Sequence, residues 1–267
     1  WACHVGARRA SGDTLVFLDA DVVLAPDGLA RILSCWGQHA PDGLLSVQPF
    51  HRAPRPYEQL SAYPNLMAMM ASGAFAPGWR FAAVAFGPCL VTSRAAYRHA
   101  GGHQEVAAEI IEDVHLARAY GRAGLPVHAV AGGPAVSFRM YPGGLRQLVD
   151  GWTKNLAGGP ALVGVVPLLG AVAWLLASIM VATDLVVAAV VAATTGDLRW
   201  EALVAWVLAS AQMALLLRRI GAFRWWAAPC FPLLLVGFVA IFVRSCLHRL
   251  VHRTVVWRDR TIAVRPR

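Results

Sequence analysis

The sequence predicts an α/β domain followed by C-terminal transmembrane helices. Short apolar runs alternate with helical stretches over residues 1–160, as in α/β folds. Residues 161–243 carry very few charges. The chain of 267 residues is 57% hydrophobic and 15% charged, with a mean hydropathy of +0.52, too apolar for an ordinary soluble protein. We therefore expect a globular domain (1–160), a membrane region of two to four segments (161–243) and a basic cytoplasmic tail (244–267).

The globular domain opens with a short helix and an apolar strand. Residues 2–10 have the pattern of a helix end, which Ser11-Gly12-Asp13 terminates. The continuous apolar run Thr14–Leu18 predicts a buried parallel strand covered on both faces. Its polar exit, Asp19-Ala20-Asp21, falls where open α/β sheets place their ligands.

The following segments continue the alternation of helices and strands. The predicted helices are residues 26–38, residues 57–75 and a helix from Glu112 that stops at Gly124, and the predicted strands are residues 44–48, 82–91 and 127–130. The strand over 82–91 is interrupted at Gly87-Pro88. Gly87 and Gly101-Gly102 are interpreted as turn or close-approach positions.

The membrane region leaves its topology open. Residues 161–195 contain one charge, Asp184, and a crossing needs about 20 residues, so this is one long tilted helix or a hairpin. Residues 202–217 and 227–243 are two further candidates, separated by the basic stretch 218–224. The positive-inside rule places both that stretch and the tail in the cytoplasm, which three full crossings do not satisfy. One segment is therefore re-entrant, interfacial or a hairpin.

Charge and cysteine content favour a cytoplasmic membrane protein. The net charge of +9 is not organised into a basic helix or an aromatic-basic platform, so we expect no nucleic-acid partner. An anionic cytoplasmic leaflet explains the charge better. The five cysteines are odd in number and lack metal-binding spacing, which favours reduced thiols. The chain begins at Trp1 without a signal peptide, so we expect a fragment.

Asp19 and Asp21 are the first candidates for chemistry. Alternate residues of a straight strand point to opposite faces, but a bent exit lets both carboxylates reach one cation. Mg²⁺ or Mn²⁺ is the expected guest, because hard cations take carboxylate oxygens and complete their shell with substrate phosphate oxygens. The alternative interpretation is a pair of solvated turn aspartates.

The stretch around Asp19 and several later stretches resemble a known family. WACHVGARRASGDTLVFLDADVVLAP is similar to the metal-binding stretch of family 2 inverting glycosyltransferases with the GT-A fold. Further matches follow in order: SVQPFHRAPRPYEQLSAYPNLM, FGPCLVTSRAAYRHAGGH, IIEDVHLARAYGRAG and RMYPGGLRQLVDGWTKN. Together they resemble the bacterial membrane branch that includes 4,4'-diaponeurosporenoate glycosyltransferases.

The resemblance implies a partial GT-A, Rossmann-like domain whose uracil-binding and ribose-binding part would precede Trp1. It implies that Asp19 and Asp21 hold a metal on the diphosphate of a nucleotide-sugar donor. The implied acceptor is a lipid, carotenoid-acid-like or other, and the implied location is the cell membrane.

Glu112-Asp113 matches the ED motif of this family. The resemblance implies that Asp113 is the base that deprotonates the acceptor and that Glu112 helps to position the site. A carboxylate near a helix N-terminus is favoured in its ionised form, which suits a base. The alternative is that both residues only cap and charge a helix start.

The resemblance implies three further binding residues. Trp152 and Lys154 lie where processive relatives have a QxxRW motif, in which the Trp lines the acceptor site and a basic residue meets the diphosphate, and Arg139 precedes them in the same match. The departure from QxxRW argues against processive synthesis, and an interfacial Trp and Lys that anchor the first membrane segment are the alternative. Trp257-Arg258-Asp259-Arg260 resembles a WxGR motif, with Asp259 in place of the usual Gly.

Two other functions are compatible with part of the sequence. A haloacid-dehalogenase-type phosphohydrolase also uses an aspartate pair after a strand, but it needs a lysine before an acidic pair. Lys154, the only lysine, follows Glu112-Asp113, so the order is wrong. A non-catalytic membrane assembly or translocation protein with a degenerate domain remains the alternative. His51, Glu58 and His103 are weaker candidates, interpreted as structural.

Overall fold

The computed structural model describes residues 2–74, 84–107, 112–156, 163–252, 254–257 and 260–263, with side chains as far as His248. It divides into two compact units. The first, called the α/β unit, comprises Trp1–Arg52, Ser72–Met140 and Leu162–Gly164. The second, called the helical unit, comprises Ala53–Ala71, Tyr141–Ala161 and Val165–Arg267. The expected domain boundary at residue 160 lies outside the described residues.

The α/β unit alternates strands with short helices, as predicted. Its strands are β1 (Thr14–Leu18), β2 (Val22–Leu24), β3 (Leu44–Gln48), β4 (Phe50–Arg52), β5 (Cys89–Ser93), β6 (Val127–Ala131) and β7 (Val136–Phe138). Its helices are α1 (Ala2–Arg9), α2 (Gly28–His39), α4 (Arg94–His99), α5 (Gly102–Glu105), α6 (Glu112–Arg122) and the 3₁₀ turn η2 (Gly133–Ala135), while α3 belongs to the helical unit. Residues 82–83 of the predicted strand 82–91 are not described.

The main sheet has the strand order β1-β5-β3-β6. Strands β3 and β6 are parallel, whereas β5 is antiparallel to both β1 and β3. The prediction that β1 is a parallel strand buried on both faces is wrong, because its described partner is antiparallel β5 and Leu18 is 44% exposed. An apolar run indicates burial but not the direction of the neighbouring strand.

Strand β3 is buried on both faces. Leu44 packs on one side with Leu116 and Tyr120 of α6, and Leu45 packs on the other with Ile32 of α2. Successive side chains of a strand point to opposite faces, so adjacent leucines enter two separate cores. In a second, smaller sheet, β7 pairs antiparallel with β2 and parallel with β4.

The helical unit combines short and long helices. It contains the 3₁₀ helix η1 (Pro56–Ser61), α3 (Ala62–Ser72), α7 (Leu145–Leu156), α8 (Val165–Thr195), α9 (Trp200–Ile220), β8 (Gly221–Ala222), the 3₁₀ turn η3 (Trp225–Ala227), α10 (Phe231–His252) and the antiparallel strands β9 (Thr254–Trp257) and β10 (Arg260–Ala263). Helices α8, α9 and α10 contain segments long and apolar enough to cross a membrane.

Helix α8 decides between the two interpretations of residues 161–195. It is continuous for 31 residues, so the hairpin near Asp184 is wrong and the long helix is confirmed. At 1.5 Å per residue it is about 46 Å long, more than the roughly 30 Å of a hydrocarbon core. The Asp184 carboxylate forms an ion pair of 3.1 Å with Arg199, which precedes α9.

Candidate active site

The chain turns sharply between β1 and β2, as the predicted metal site requires. The Val22 N–H donates to the Asp19 carbonyl at 3.1 Å, which closes a turn around Ala20 and Asp21. The Asp19 N–H donates to the Pro88 carbonyl at 2.9 Å. Both aspartates reach solvent at this turn, although neighbouring groups partly surround Asp19, so their carboxylates are accessible to a ligand.

Three carboxylates interact around this turn. Partial burial raises the pKa of Asp19 first, and the negative charges of Asp21 and Glu112 raise it further. A bound cation would relieve this repulsion, so the donor set fits a hard divalent ion. Within the described residues, no group of three or more His, Cys, Asp or Glu side chains is arranged to hold a metal. Water or substrate oxygens would therefore complete the shell of an ion on Asp19 and Asp21.

Asp113 is held by two backbone groups in the first turn of α6. Its Oδ2 accepts the Gly87 N–H at 2.9 Å, and its Oδ1 accepts the Val114 N–H at 2.9 Å. Both hydrogen bonds favour the ionised form, but burial outweighs them and raises the pKa of Asp113, with a smaller contribution from Glu112. The carboxylate is thus fixed in direction and more basic than a solvated aspartate.

The dipeptide Gly87-Pro88 connects the acidic turn to Asp113. Pro88 accepts from Asp19, and Gly87 donates to Asp113, so consecutive residues hold the two candidate groups. A Cβ on Gly87 would lie 3.4 Å from the Asp113 side chain, an ordinary van der Waals contact, so the close approach of this glycine to substrate stays a prediction. The geometry can combine cation binding with proton acceptance at one end of the sheet.

Ser46 supports this segment and was not singled out in the sequence. Its hydroxyl, buried in β3, accepts the Phe86 N–H at 2.6 Å and donates to the Phe86 carbonyl at 3.1 Å. Ser46 thereby fixes the residue before Gly87. A lone serine inside an apolar strand was the available signal, but its partner is 40 residues away in sequence.

Trp152 and Lys154 belong to the helical unit, where α7 carries both. The Trp152 side chain is 5% exposed, its indole N–H donates to the Ser61 hydroxyl at 3.0 Å, and its ring meets Tyr141 edge-on at 5.9 Å. Lys154 is partly buried. Arg139 directly follows β7 in the α/β unit and is also partly buried. Substrate binding by these three residues stays a prediction.

The weaker candidates lie in packed surroundings. His51 is 3% exposed with its ring 5.2 Å from Phe138, and burial lowers its pKa to about 4. The His103 ring nitrogen lies 3.0 Å from the Tyr97 hydroxyl, and its pKa is also lowered to about 4, chiefly by burial. Glu58 is buried and accepts the Arg55 N–H at 2.7 Å. All three have structural contacts, as the sequence indicated.

The fold and the acidic site together define a mixed α/β unit with three apolar helices following it. The family model of glycosyl transferase family 21 matches residues 2–267. The chain therefore belongs to this family, whose number differs from the family 2 suggested by the motifs. Membership confirms the resemblance to glycosyltransferases and supports a transferase.

The chain is similar to 4,4'-diaponeurosporenoate glycosyltransferases of two staphylococci. It is 33% identical to the Staphylococcus aureus (strain USA300) protein over 267 residues, which cover 98% of this chain and 70% of that protein. It is 39% identical to the Staphylococcus haemolyticus (strain JCSC1435) protein over 162 residues, or 60% of this chain and 43% of that protein. These matches confirm the branch that the motifs indicated.

Among solved structures, the chain is similar to the mannosyltransferase PcManGT from Pyrobaculum calidifontis in complex with GDP-Man and Mn²⁺. The TM-score is 0.45 and the sequence identity 19%, over 94% of this chain and 66% of that chain.

Proposed function

We propose that the protein transfers a sugar, with inversion and with a divalent metal, from a nucleotide-sugar donor to a lipid or membrane-associated acceptor. The observation that carries the proposal is the attachment of the acidic turn and Asp113 to consecutive residues, Pro88 and Gly87. A UDP-sugar is the proposed donor, and a GT-A-type domain is the proposed scaffold.

In this proposal Asp19 and Asp21 would hold Mg²⁺ or Mn²⁺ against the donor diphosphate. Such an ion neutralises charge that develops on a leaving nucleotide. Glu112 adds negative charge near the same position, which strengthens the attraction for the cation. The acceptor oxygen attacks the anomeric carbon from the face opposite the leaving group, and the configuration inverts.

Asp113 accepts the proton of a hydroxyl acceptor as the new glycosidic bond forms. Its Oδ atoms are oriented by Gly87 and Val114, and burial raises its pKa, so it is a stronger base than a solvated aspartate. If the acceptor is already a carboxylate, no base is needed and Asp113 orients it. The name of the staphylococcal relatives, 4,4'-diaponeurosporenoate glycosyltransferase, supports an acceptor of this lipid-soluble acid type.

The proposed location is the cell membrane, with the α/β unit in the cytoplasm. The three apolar helices and the five free thiols support it. A lipid acceptor gives a physical reason for joining a catalytic unit to membrane helices, since the acceptor cannot diffuse through water.

A donor screen tests the proposal. Membranes containing the full-length protein are incubated with labelled UDP-sugars and Mg²⁺ or Mn²⁺, and the lipid extract is analysed. We expect labelled lipid with at least one donor and none after chelation of the metal. Absence of labelled lipid with every donor would favour the alternative, a non-catalytic membrane assembly or translocation protein.

A further inference from the structure

Helices α8 and α9 form an antiparallel hairpin, as two polar contacts show. The Trp174 indole N–H donates to Gln212 Oε1 at 3.0 Å, and Asp184 pairs with Arg199 at 3.1 Å. Asp184 lies later in α8 than Trp174, whereas its partner Arg199 lies earlier in the chain than Gln212, so the two helices run in opposite directions. The C-terminus of α9 therefore returns to the level at which α8 begins.

Helix α10 runs in the same direction as α9. Just before α10 starts, the Pro229 carbonyl accepts the indole N–H of Trp206, in the first half of α9, at 3.0 Å. Further along α10, the Phe238 ring lies 5.9 Å from Tyr63. The ring of Tyr63 is in turn 5.5 Å from the tryptophan that binds Gln212, in the second half of α9. Residue numbers therefore rise together along the two helices.

Consecutive full crossings of a membrane must run in opposite directions, so this orientation is not that of a third crossing. The connection between α9 and α10, residues 221–230, would span about 33 Å only if fully extended. It contains β8 and the 3₁₀ turn η3, so it is shorter than that. The connection leaves the C-terminal end of α9 and runs back along that helix as far as Trp206, where α10 is about to begin.

Both ends of the segment touch elements that precede α8. Before α10, the Arg224 N–H donates to Gln59 Oε1 at 2.8 Å. Near the end of α10, the Arg244 guanidinium donates to the Asp150 carboxylate at 2.6 Å, and the Ser245 hydroxyl donates to the backbone of α7. Helices η1, α3 and α7 have 6, 11 and 12 residues, too few to cross a bilayer. Arg224, before α10, and Ser245, near its end, therefore both lie on the side of these short helices, and the segment between them enters and leaves on that side.

We infer that α10 is a re-entrant helix whose exposed apolar face contacts the acyl chains of the leaflet it enters. Only α8 and α9 then cross the membrane. One face of α10 packs against protein, through Phe231, Leu234, Leu235 and Phe238. The other face is apolar and exposed at helical spacing, through Leu233, Val236, Val239, Val243 and Leu247. Acyl chains are the partner that fits this second face.

Charge places the same segment on an anionic leaflet. The exposed Arg218 and Arg219 end α9, Arg224 follows in the connection, and Arg244 lies near the other end of α10. With two crossings, all four arginines lie on one side, which the positive-inside rule favours. With three crossings, Arg244 would be separated from the other three.

Topology reporters on the full-length protein test this inference, which rests on the proposed membrane insertion. Green fluorescent protein or alkaline phosphatase is placed after Gly196 or after Arg267; the first reporter is active only in the cytoplasm and the second only outside it. We expect active phosphatase after Gly196, and after Arg267 fluorescence with phosphatase at background. Active phosphatase without fluorescence after Arg267 would overturn the re-entrant helix.

Protease protection of an epitope after Arg267 supplies a second measurement that needs no folded reporter. Cleavage in inverted vesicles and protection in right-side-out vesicles are expected, and the reverse pattern overturns the inference. Cytoplasmic signals at both positions would instead reject the α8–α9 crossing itself. That result is distinct from a failure of sugar transfer in the donor screen.

Discussion

The α/β unit and the helical unit treat apolar side chains in opposite ways. In the α/β unit, adjacent residues such as Leu44 and Leu45 are almost completely buried in two cores. In the helical unit, Val165 and Met180 of α8 are each 71% exposed. Water drives the first arrangement, whereas lipid accepts the second without penalty. The contrast indicates that one chain is folded for two solvents.

Polar groups differ between the two units as well. In the α/β unit, hydrogen bonds from Gly87 and Ser46 fix the segment that holds Asp113 of the candidate site. In the helical unit, indole N–H groups join apolar helices, as in the Trp174–Gln212 and Trp206–Pro229 contacts. Polar contacts therefore hold the candidate site in the α/β unit and join segments of the helical unit.

Removing the two turn carboxylates should remove most of the sugar-transfer activity proposed for the α/β unit. The combined substitutions Asp19→Asn and Asp21→Asn should lower the transfer rate about 1,000-fold, a loss of about 4 kcal/mol in transition-state stabilisation. The metal concentration for half-maximal rate should rise, because two anionic ligands are lost. Initial rates over a Mn²⁺ titration measure both effects. Asp42→Asn, an exposed aspartate outside the site, is the matched control.

Truncating Trp152 separates structural from catalytic use of the helical unit. Trp152→Ala should lower the unfolding free energy by about 3 kcal/mol, because a buried ring and its bond to Ser61 are lost. Unfolding of the detergent-solubilised protein measures the change. Trp152→Phe keeps most of the packing and should cost about 1 kcal/mol. A loss of kcat/KM in Trp152→Phe, measured where the variant is fully folded, would instead support the predicted contact of Trp152 with the acceptor.

Ser46 tests how the α/β unit holds its candidate base. Ser46→Ala removes the hydroxyl that binds Phe86, leaving a backbone N–H without that partner, and should cost about 1–3 kcal/mol of stability. Chemical denaturation monitors the loss. The exposed Ser34→Ala should change stability by less than about 0.5 kcal/mol. Equal stability of the two variants would contradict a supporting role for Ser46.

The pH dependence of kcat/KM should be a smaller effect than those of the substitutions above. The protonated form of Asp113 predominates below its pKa and cannot accept a proton, so kcat/KM should fall as the pH drops through that value. Burial raises the pKa of Asp113, which moves this acid limb above the ordinary aspartate range near about 4. A rate profile with a hydroxyl-bearing acceptor locates the limb. A profile flat down to the ordinary range would argue against Asp113 as the base.

Much of the α/β unit follows from local sequence. The run Thr14–Leu18 and the run Leu44–Gln48 form strands at the expected positions, and helix α6 begins at Glu112 as expected. Burial on both faces was assigned to the first run but occurs in the second. Pairing direction and sheet order depend on contacts distant in sequence, such as Leu18 with Cys89, which periodicity does not encode.

The candidate site was predictable in its residues but not in its connections. Asp19, Asp21 and Asp113 were identified from motifs, whereas the Gly87 and Ser46 contacts need the folded sheet. In the helical unit, the positive-inside rule places both basic stretches on the same side of the membrane, and three crossings would separate them. The direction of α10, which resolves that conflict, required the contact between Trp206 and Pro229.

The most direct test of a catalytic α/β unit compares Asp113→Asn with Asp42→Asn in membranes supplied with labelled donor, metal and a hydroxyl-bearing lipid acceptor. If Asp113 is the proposed general base, its loss should lower transfer of label into lipid by about 100-fold or more, while Asp42→Asn retains the wild-type rate. Asp42→Asn should keep the thermal stability of the wild type, whereas Asp113→Asn leaves one backbone N–H without its acceptor and should cost about 1–3 kcal/mol, so the rates are compared at a temperature at which both variants are folded. Wild-type transfer by Asp113→Asn would contradict the account.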